Sequence, residues 1–297
     1  MVRSVEPSRD QRRLPCLADF GRDVRLAIRT LRRSRSFSIT VVLTLALGIG
    51  ADTAVFSVMN GVLFRPLPFP DAERLVRLRQ VQERTAETNI APVRLADWDR
   101  LNVTFEGITG YYMEDVSETS GDVPERVRRA IVAPRFLAVW GMAPALGRDF
   151  TDAEHKTGGP PAVLISNRYW RLRMGRAADV LERVVRIGPS SYRVIGVMPA
   201  SFLFPDRAVD LWFPSTVDSP VAQSRQATWF TGVGRLKPGV TFGEARANLD
   251  AVQTQLARQY PDTDERLRVD MTSLKDAAIG GIRRSLWLLF GGCRSCS

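Results

Sequence analysis

The chain has few of the residues that catalytic and metal sites require. Its 297 residues include one histidine and three cysteines. We expect the histidine, His155, to be solvated, because it lies in a polar loop at 151–159. The cysteines lie near the termini, so the middle of the chain must fold without disulfides: Cys16, Cys293 and Cys296. This scarcity excludes the usual zinc sites and most pairs of a nucleophile with a base.

Phosphate-binding and redox motifs are also missing. The chain has no G-x-x-x-x-G-K-[ST] motif, so we do not expect it to hydrolyse ATP by itself. The GIG at 48–50 and the GVG at 232–234 do not extend to a dinucleotide fingerprint, and no βαβ pattern surrounds the C-x-x-C at 293–296. Acidic residues near His155 are expected to be solvated: Asp149, Asp152 and Glu154. We therefore predict no catalytic residue, no cofactor and no bound metal.

Positive charge is concentrated at the N-terminus. The net charge is +10, of which residues 1–35 carry +6 through ten arginines and four acidic residues. A basic chain can indicate a nucleic-acid partner, but no nucleic-acid-binding motif accompanies this charge. Because the basic segment directly precedes a hydrophobic run, we expect it to meet anionic lipid head groups and no nucleic acid. Its predicted membrane-surface residues are Arg25, Arg29, Arg32, Arg33 and Arg35.

The longest hydrophobic run covers residues 37–64 and contains one charged residue, Asp52. About 20 helical residues span a hydrocarbon core of roughly 30 Å. We predict a transmembrane helix at 37–63 after a cytoplasmic segment at 1–36, which places the rest of the chain outside the cytoplasm. A cleaved signal peptide is the alternative, with an apolar core at 39–49 and a cleavage site at 51–54. The long segment before the run favours an uncleaved anchor.

Two helical patterns accompany this predicted span. An apolar stripe at residues 17–31 predicts an amphipathic helix that lies on the inner membrane surface or docks on another protein: Leu17, Phe20, Val24, Ile28 and Leu31. Small residues recur every four positions and predict a face for close packing against a partner helix: Ala46, Gly50 and Ala54. The Asp52 carboxylate is expected either to reach the outer head groups or to contact another helix.

The remainder of the chain mixes strand-like and helix-like segments. Apolar and alternating runs predict strands at 75–81, 111–116, 126–132, 162–165, 184–187, 192–197 and 233–236. Helices are predicted at 92–101, 134–140 and 167–174. A longer helix is predicted to begin at the capping box of Thr241 and Glu244 and to end at Pro261. Because these segments do not alternate as regular βαβ units, the fold class is predicted to be α+β.

Several sequence blocks resemble a known family, the FtsX-type permeases of MacB-like ABC transporters, and in particular the branch with a duplicated permease. The blocks lie at 23–33, 43–51, 55–60, 65–68, 196–199, 211–214 and 235–240, and they cover most of residues 20–280 in the expected order. One departure is Asp52, where such sequences often have asparagine.

The resemblance implies a periplasmic core domain at 64–282. Its porter-like βα module would comprise 70–149 and 226–275, with a small β-rich subdomain inserted at about 150–225. The resemblance also implies a protein of the inner membrane that is driven by a separate cytoplasmic ABC ATPase. It would pair with a second permease half or form a homodimer, and it would have no catalytic residues of its own. A periplasmic adaptor or a cell-wall hydrolase is the implied extracytoplasmic partner.

The C-terminal residues fit the family less well. The segment at 286–290 resembles the beginning of a second membrane helix, but the following GGCRSCS is not apolar enough to continue it. We therefore expect an incomplete second transmembrane helix at 283–297, caused by a frameshift or a truncated reading frame. The leading hypothesis is the N-terminal portion of a permease subunit that acts in export. The alternatives are a regulator of a periplasmic hydrolase and a membrane-tethered enzyme.

Overall fold

The computed structural model describes residue 36, residues 39–50, residue 53 and residues 69–82, 88–121 and 123–277. The chain divides into two compact units, Met1–Arg65 and Pro66–Ser297. In the first unit the described residues are helical, and the Thr44 hydroxyl donates a hydrogen bond of 2.8 Å to the carbonyl oxygen of Thr40. Among the described residues no helix is both long and apolar enough to cross a membrane. The helix predicted at 17–31, the arginines at 25–35 and the segment at 283–297 lie outside the described residues.

The second unit is built on one mixed sheet. Its strands are β1 (Leu75–Gln82), β2 (Phe105–Glu118), β3 (Glu125–Val132), β4 (Leu146–Gly147), β5 (Ala162–Ile165), β6 (Val184–Ile187), β7 (Ser190–Val197), β8 (Val209–Pro214), β9 (Thr231–Leu236) and β10 (Leu267–Ser273). The strand order is β10-β1-β9-β2-β3-β8-β5-β7-β4, and β6 pairs with β2 and β7. The helices are α1 (Pro92–Leu101), α2 (Phe136–Trp140), α3 (Asn167–Leu172), α4 (Phe242–Gln259) and α5 (Pro261–Asp264). The predicted α+β class is confirmed.

The sheet has two halves that share β2. We define the first half as β10, β1, β9 and β2 with α1 and α4, and the second half as β3 to β8 with α3. Strand β2 pairs with β9 through residues 105–111 and with β3 through residues 111–118, so the sheet continues from one half into the other. All pairs in the first half are antiparallel, whereas β3–β8 and β5–β7 are parallel. The division into a porter-like module and an insertion at about 150–225 stays a prediction.

Helix α4 covers the first half, and its own sequence pattern predicts it. The Thr241 hydroxyl accepts a hydrogen bond from the Glu244 backbone N–H, and the Glu244 carboxylate accepts one of 2.8 Å from the Thr241 N–H. This confirms the predicted capping box. Apolar side chains recur at helical spacing and are buried: Ala245, Leu249, Val252 and Leu256. They pack in one core with Trp98 of α1, which fixes both helices on the same face of the sheet.

Strand β9 is glycine-rich because aromatic and aliphatic side chains lie directly over it. A Cβ atom on Gly234 would lie 2.5 Å from Cδ1 of Phe105, and one on Gly232 would lie 2.7 Å from Cδ1 of Ile90. Both distances are far below normal contact. The GVG at 232–234 therefore serves close packing within the first half.

We expect Gly234→Ala to lower the free energy of unfolding by about 1–3 kcal/mol, because the Phe105 ring would have to move within a packed core. Urea denaturation followed by circular dichroism measures this loss. The matched control is Gly243→Ala on α4, where an added Cβ would meet no atom within 4 Å. It should change the stability by less than about 0.5 kcal/mol or increase it. Equal losses in the two variants would contradict the packing argument.

Candidate functional site

His155 is buried, so the prediction that it is solvated is wrong. Its side chain and backbone are 4% exposed in total. The Nδ1 atom lies 3.1 Å from the carbonyl oxygen of Ser215, and the Val217 N–H donates a hydrogen bond of 2.9 Å to the His155 carbonyl. The polar loop at 151–159 is therefore folded against the chain that leaves β8. Loop composition alone could not indicate this tertiary contact.

Glu154 is buried as well, which corrects a second expectation. Its carboxylate accepts hydrogen bonds of 2.9 and 2.7 Å from both terminal nitrogens of Arg148, and one of 2.7 Å from the Thr151 N–H. Burial acts to raise the pKa of Glu154, but these hydrogen bonds outweigh it and lower the pKa below its usual value. Asp149 is half-buried, and only Asp152 of the three acidic residues is exposed as expected.

The same loop is tied to the segment that returns from the second half to the first. We call residues 215–230, which connect β8 to β9, the return segment. The Thr157 backbone N–H and hydroxyl donate hydrogen bonds of 2.7 and 2.8 Å to Asp218 Oδ1. These contacts lower the pKa of Asp218. Together with the contacts of His155, they hold the beginning of the return segment against the loop at 151–159.

Burial lowers the pKa of His155 below its ordinary value, against the opposing effects of Ser215, Asp152 and Glu154. The folded state therefore favours the neutral imidazole, and the unfolded chain binds the proton more readily. We expect the contribution of His155 to the free energy of unfolding to be complete above about pH 6.5 and to fall below that pH by up to about 1.4 kcal/mol per pH unit. His155→Gln should remove this dependence below pH 6.5, as urea denaturation at several pH values would show. The same slope in both proteins would contradict the assignment to His155.

A buried charged cluster holds the other end of the return segment. We call Gln80, Arg94, Asp97, Arg225 and Asp264 the joint cluster. Arg94 binds the Asp264 carboxylate with two nitrogens, at 2.6 Å from Nη2 and 3.1 Å from Nε. Arg225 in the return segment donates to Asp264 at 2.8 Å and to Asp97 at 2.7 Å. The Arg94 Nη1 atom donates to Gln80 Oε1 at 2.7 Å.

The electrostatics of the joint cluster indicate that its ion pairs are a stable part of the folded structure. The side chains of Arg94 and Asp264 are 1% and 0% exposed. Burial acts to raise the pKa of Asp264, but its hydrogen bonds from Arg94 and Arg225 outweigh burial and lower the pKa to about 2. The guanidinium of Arg225 also stacks 3.9 Å from the centroid of the Tyr260 ring. The cluster joins α1, α5 and the return segment, and the sequence alone did not predict it.

Two surface clefts are of interest, and the first of them adjoins these contacts. One, of about 360 Å³, lies between α1 and the return segment, and its lining includes Val93, Asp97, Arg100, Val217 and Asp218. The other, of about 350 Å³, lies in the second half and carries three arginines, Arg168, Arg171 and Arg207. Over the described ranges no group of three or more His, Cys, Asp or Glu side chains is placed to hold a metal ion. Both clefts are candidate binding sites.

The predicted helix-packing face is only partly described. Ala46 and Gly50 are four residues apart in one helical segment, and both are exposed. A Cβ atom on Gly50 would meet no other atom within 4 Å in this part of the chain. Ala54 lies outside the described residues. The role of this face stays a prediction.

Comparisons with known proteins agree on one kind of domain. The family model described as MacB-like periplasmic core domain matches residues 38–252. A domain of a protein named as a permease, from Porphyromonas gingivalis, has a TM-score of 0.52 and 18% identity, covering 69% of this chain and 93% of that one. The periplasmic region of MacB from Actinobacillus actinomycetemcomitans has a TM-score of 0.51 and 13% identity, covering 73% and 94%. At these identities the two structures show a shared fold. No curated protein matches the chain.

Proposed function

This chain belongs to the family of MacB-like periplasmic core domains, and we propose that it is a non-catalytic permease subunit of an ABC transporter that acts in export. The observation that carries the proposal is the family match over residues 38–252. That range includes nearly all of the predicted membrane segment and most of the described domain. The protein would lie in the inner membrane with its N-terminus in the cytoplasm and the domain at 64–282 on the other side.

In this proposal a separate cytoplasmic ATPase supplies the energy, because the sequence has no P-loop. The helix at 37–63 would pack against other membrane helices of a second permease half or a second copy through Ala46, Gly50 and Ala54. The arginines at 25–35 would bind lipid phosphates at the inner surface. Movement of the ATPase would then reach the periplasmic domain through the membrane segments.

The construction of the domain supports a role in transmitting movement. The sheet runs without interruption from the first half to the second through β2. The return segment is held at one end by Thr157 and at the other by the joint cluster. The two halves are thus connected by β2 and by the return segment, and both connections are held in place. A displacement of one half should therefore move the other half as well.

The test is co-purification of the full chain with a P-loop ATPase encoded beside it. We expect the two to form a complex that hydrolyses ATP. Gly50→Leu should weaken this complex, because it obstructs the face through which the membrane helix would pack against a second permease half or a second copy. Gly48→Leu is the matched control, since Gly48 lies about 200° around the helix from Gly50 and is equally unobstructed. Failure of any neighbouring ATPase to associate would contradict the proposal.

The identity of other bound proteins distinguishes export from regulation. Co-purification of a periplasmic adaptor or outer-membrane channel supports export. Co-purification of a cell-wall hydrolase instead would replace export by regulation of that partner, while the permease assignment would stand.

A further inference from the structure

A concave, basic cleft lies in the second half between α3 and the chain at 199–210. We call it the basic cleft. Phe202 and Val209 form part of its lining and are buried in the core. Two leucines of the lining are exposed: Leu172 is 76% exposed and Leu203 is 44% exposed. They add exposed apolar surface to the basic cleft.

The charges around the basic cleft are only partly neutralised. Arg168 is paired with Asp210, at 2.6 Å from Nη2 and 3.0 Å from Nε, and the Ser166 hydroxyl also donates to that carboxylate at 2.6 Å. The remaining arginines, Arg171 and Arg207, are exposed. Within the described part of the chain no ion pair involves either of them. The cleft therefore combines two available guanidinium groups with exposed apolar surface.

We propose that the basic cleft binds an acidic, leucine-containing segment of an extracytoplasmic protein. Guanidinium groups bind carboxylates through paired hydrogen bonds, and the partner's apolar side chain would cover Leu172 and Leu203. A protein segment fits better than a lipid surface, because a planar membrane cannot enter a concave cleft. The proposal rests on the proposed function only in expecting a protein partner on that side of the membrane.

The test measures binding of a fluorescent heptapeptide, acetyl-ELELELE-amide, to the full chain in detergent by fluorescence anisotropy. We expect saturable binding that Arg171→Glu combined with Arg207→Glu weakens at least tenfold. The matched control combines Arg258→Glu with Arg266→Glu, two exposed arginines of which one lies on α4 and the other directly before β10, and should leave binding within twofold. Leu172→Ala, which keeps every charge of the cleft, should also weaken binding.

Two further probes complete the test. The peptide acetyl-ESESESE-amide should bind at least tenfold more weakly, since it lacks apolar side chains. Equal binding of the two peptides, equal loss in the control variant, or no binding at millimolar peptide would overturn the proposal. So would tighter, Arg171-dependent binding of dihexanoyl-phosphatidylglycerol, which would indicate a lipid site. Association with the ATPase is measured independently, so failure of the cleft proposal is distinguishable from failure of the proposed function.

Discussion

Replacing Asp264 by asparagine is expected to lower the free energy of unfolding by about 3–5 kcal/mol. The carboxylate is fully buried and receives hydrogen bonds from Arg94 and Arg225. Removing its charge would leave two guanidinium groups facing a neutral amide, one of them in the fully buried side chain of Arg94. Urea denaturation followed by tryptophan fluorescence measures the loss, because Trp98 lies in the adjoining core of the first half.

The matched control is Asp250→Asn on α4. Asp250 is paired with Arg246 at 4.0 Å, but both side chains are more than half exposed. An exposed pair of this kind contributes little, so the variant should change stability by less than about 1 kcal/mol. If Asp264→Asn is no more destabilising than Asp250→Asn, the joint cluster does not stabilise the domain.

The pH dependence gives a second measure of the same group. Because the pKa of Asp264 is lowered from 3.8 to about 2 in the folded state, its contribution is complete above about pH 4 and is lost as the pH falls towards 2. The shift corresponds to about 2 kcal/mol. Asp264→Asn should remove this part of the acid denaturation. The effect of His155 begins at higher pH, near 6.5, so the two variants should alter different parts of the profile.

The elements that the sequence predicted well are those specified by local interactions. Helix α4 was predictable because Thr241 and Glu244 cap it and its apolar residues repeat at helical spacing. Strand β5, at Ala162–Ile165, is a short apolar run with all four residues buried, and its predicted bounds are confirmed. In these segments propensity, periodicity and end signals agree, so no knowledge of the tertiary fold was needed.

Strands β8 and β10 were not predicted, for different reasons. β8 ends in Pro214 and its VDLWFP sequence does not alternate, because both of its faces are covered. β10 alternates in burial from residue 268 to residue 271, but it directly follows the helical residues of α5 and carries Arg268 and Asp270. Each becomes a strand through pairing with a distant partner, β3 for one and β1 for the other. Propensity is too weak to specify such pairings.

The candidate sites show the same limit more strongly. Arg94 and Asp264 are 170 positions apart in sequence, and nothing in the local pattern of either residue predicts that they are buried together. His155 was predicted to be solvated, because the composition of a loop does not indicate what the loop packs against. By contrast, the family resemblance was visible in short blocks spread along the chain, and the family match over 38–252 confirms it.

The second large effect is expected at Trp140 on α2, which packs against Phe69 in the segment before β1. Its ring is fully buried, with its centroid 3.7 Å from that of Phe204 and 4.6 Å from that of Phe69. Trp140→Ala should lower the free energy of unfolding by about 3–5 kcal/mol, because the surrounding rings cannot fill the resulting cavity. Circular dichroism during urea denaturation measures this without relying on the tryptophan that is removed.

Trp140→Phe separates ring packing from hydrogen bonding. The Trp140 Nε1 atom has no hydrogen-bond partner among the described residues, so phenylalanine should lose only part of the ring volume, at a cost below about 2 kcal/mol. Trp98→Phe is the comparison, because the Trp98 Nε1 donates a hydrogen bond of 3.0 Å to buried Gln253. It should cost about 1–2 kcal/mol more than Trp140→Phe, since the buried Gln253 Oε1 atom would lose its donor. If Trp140→Phe were as damaging as Trp140→Ala, aromatic packing would not explain the stability of this core.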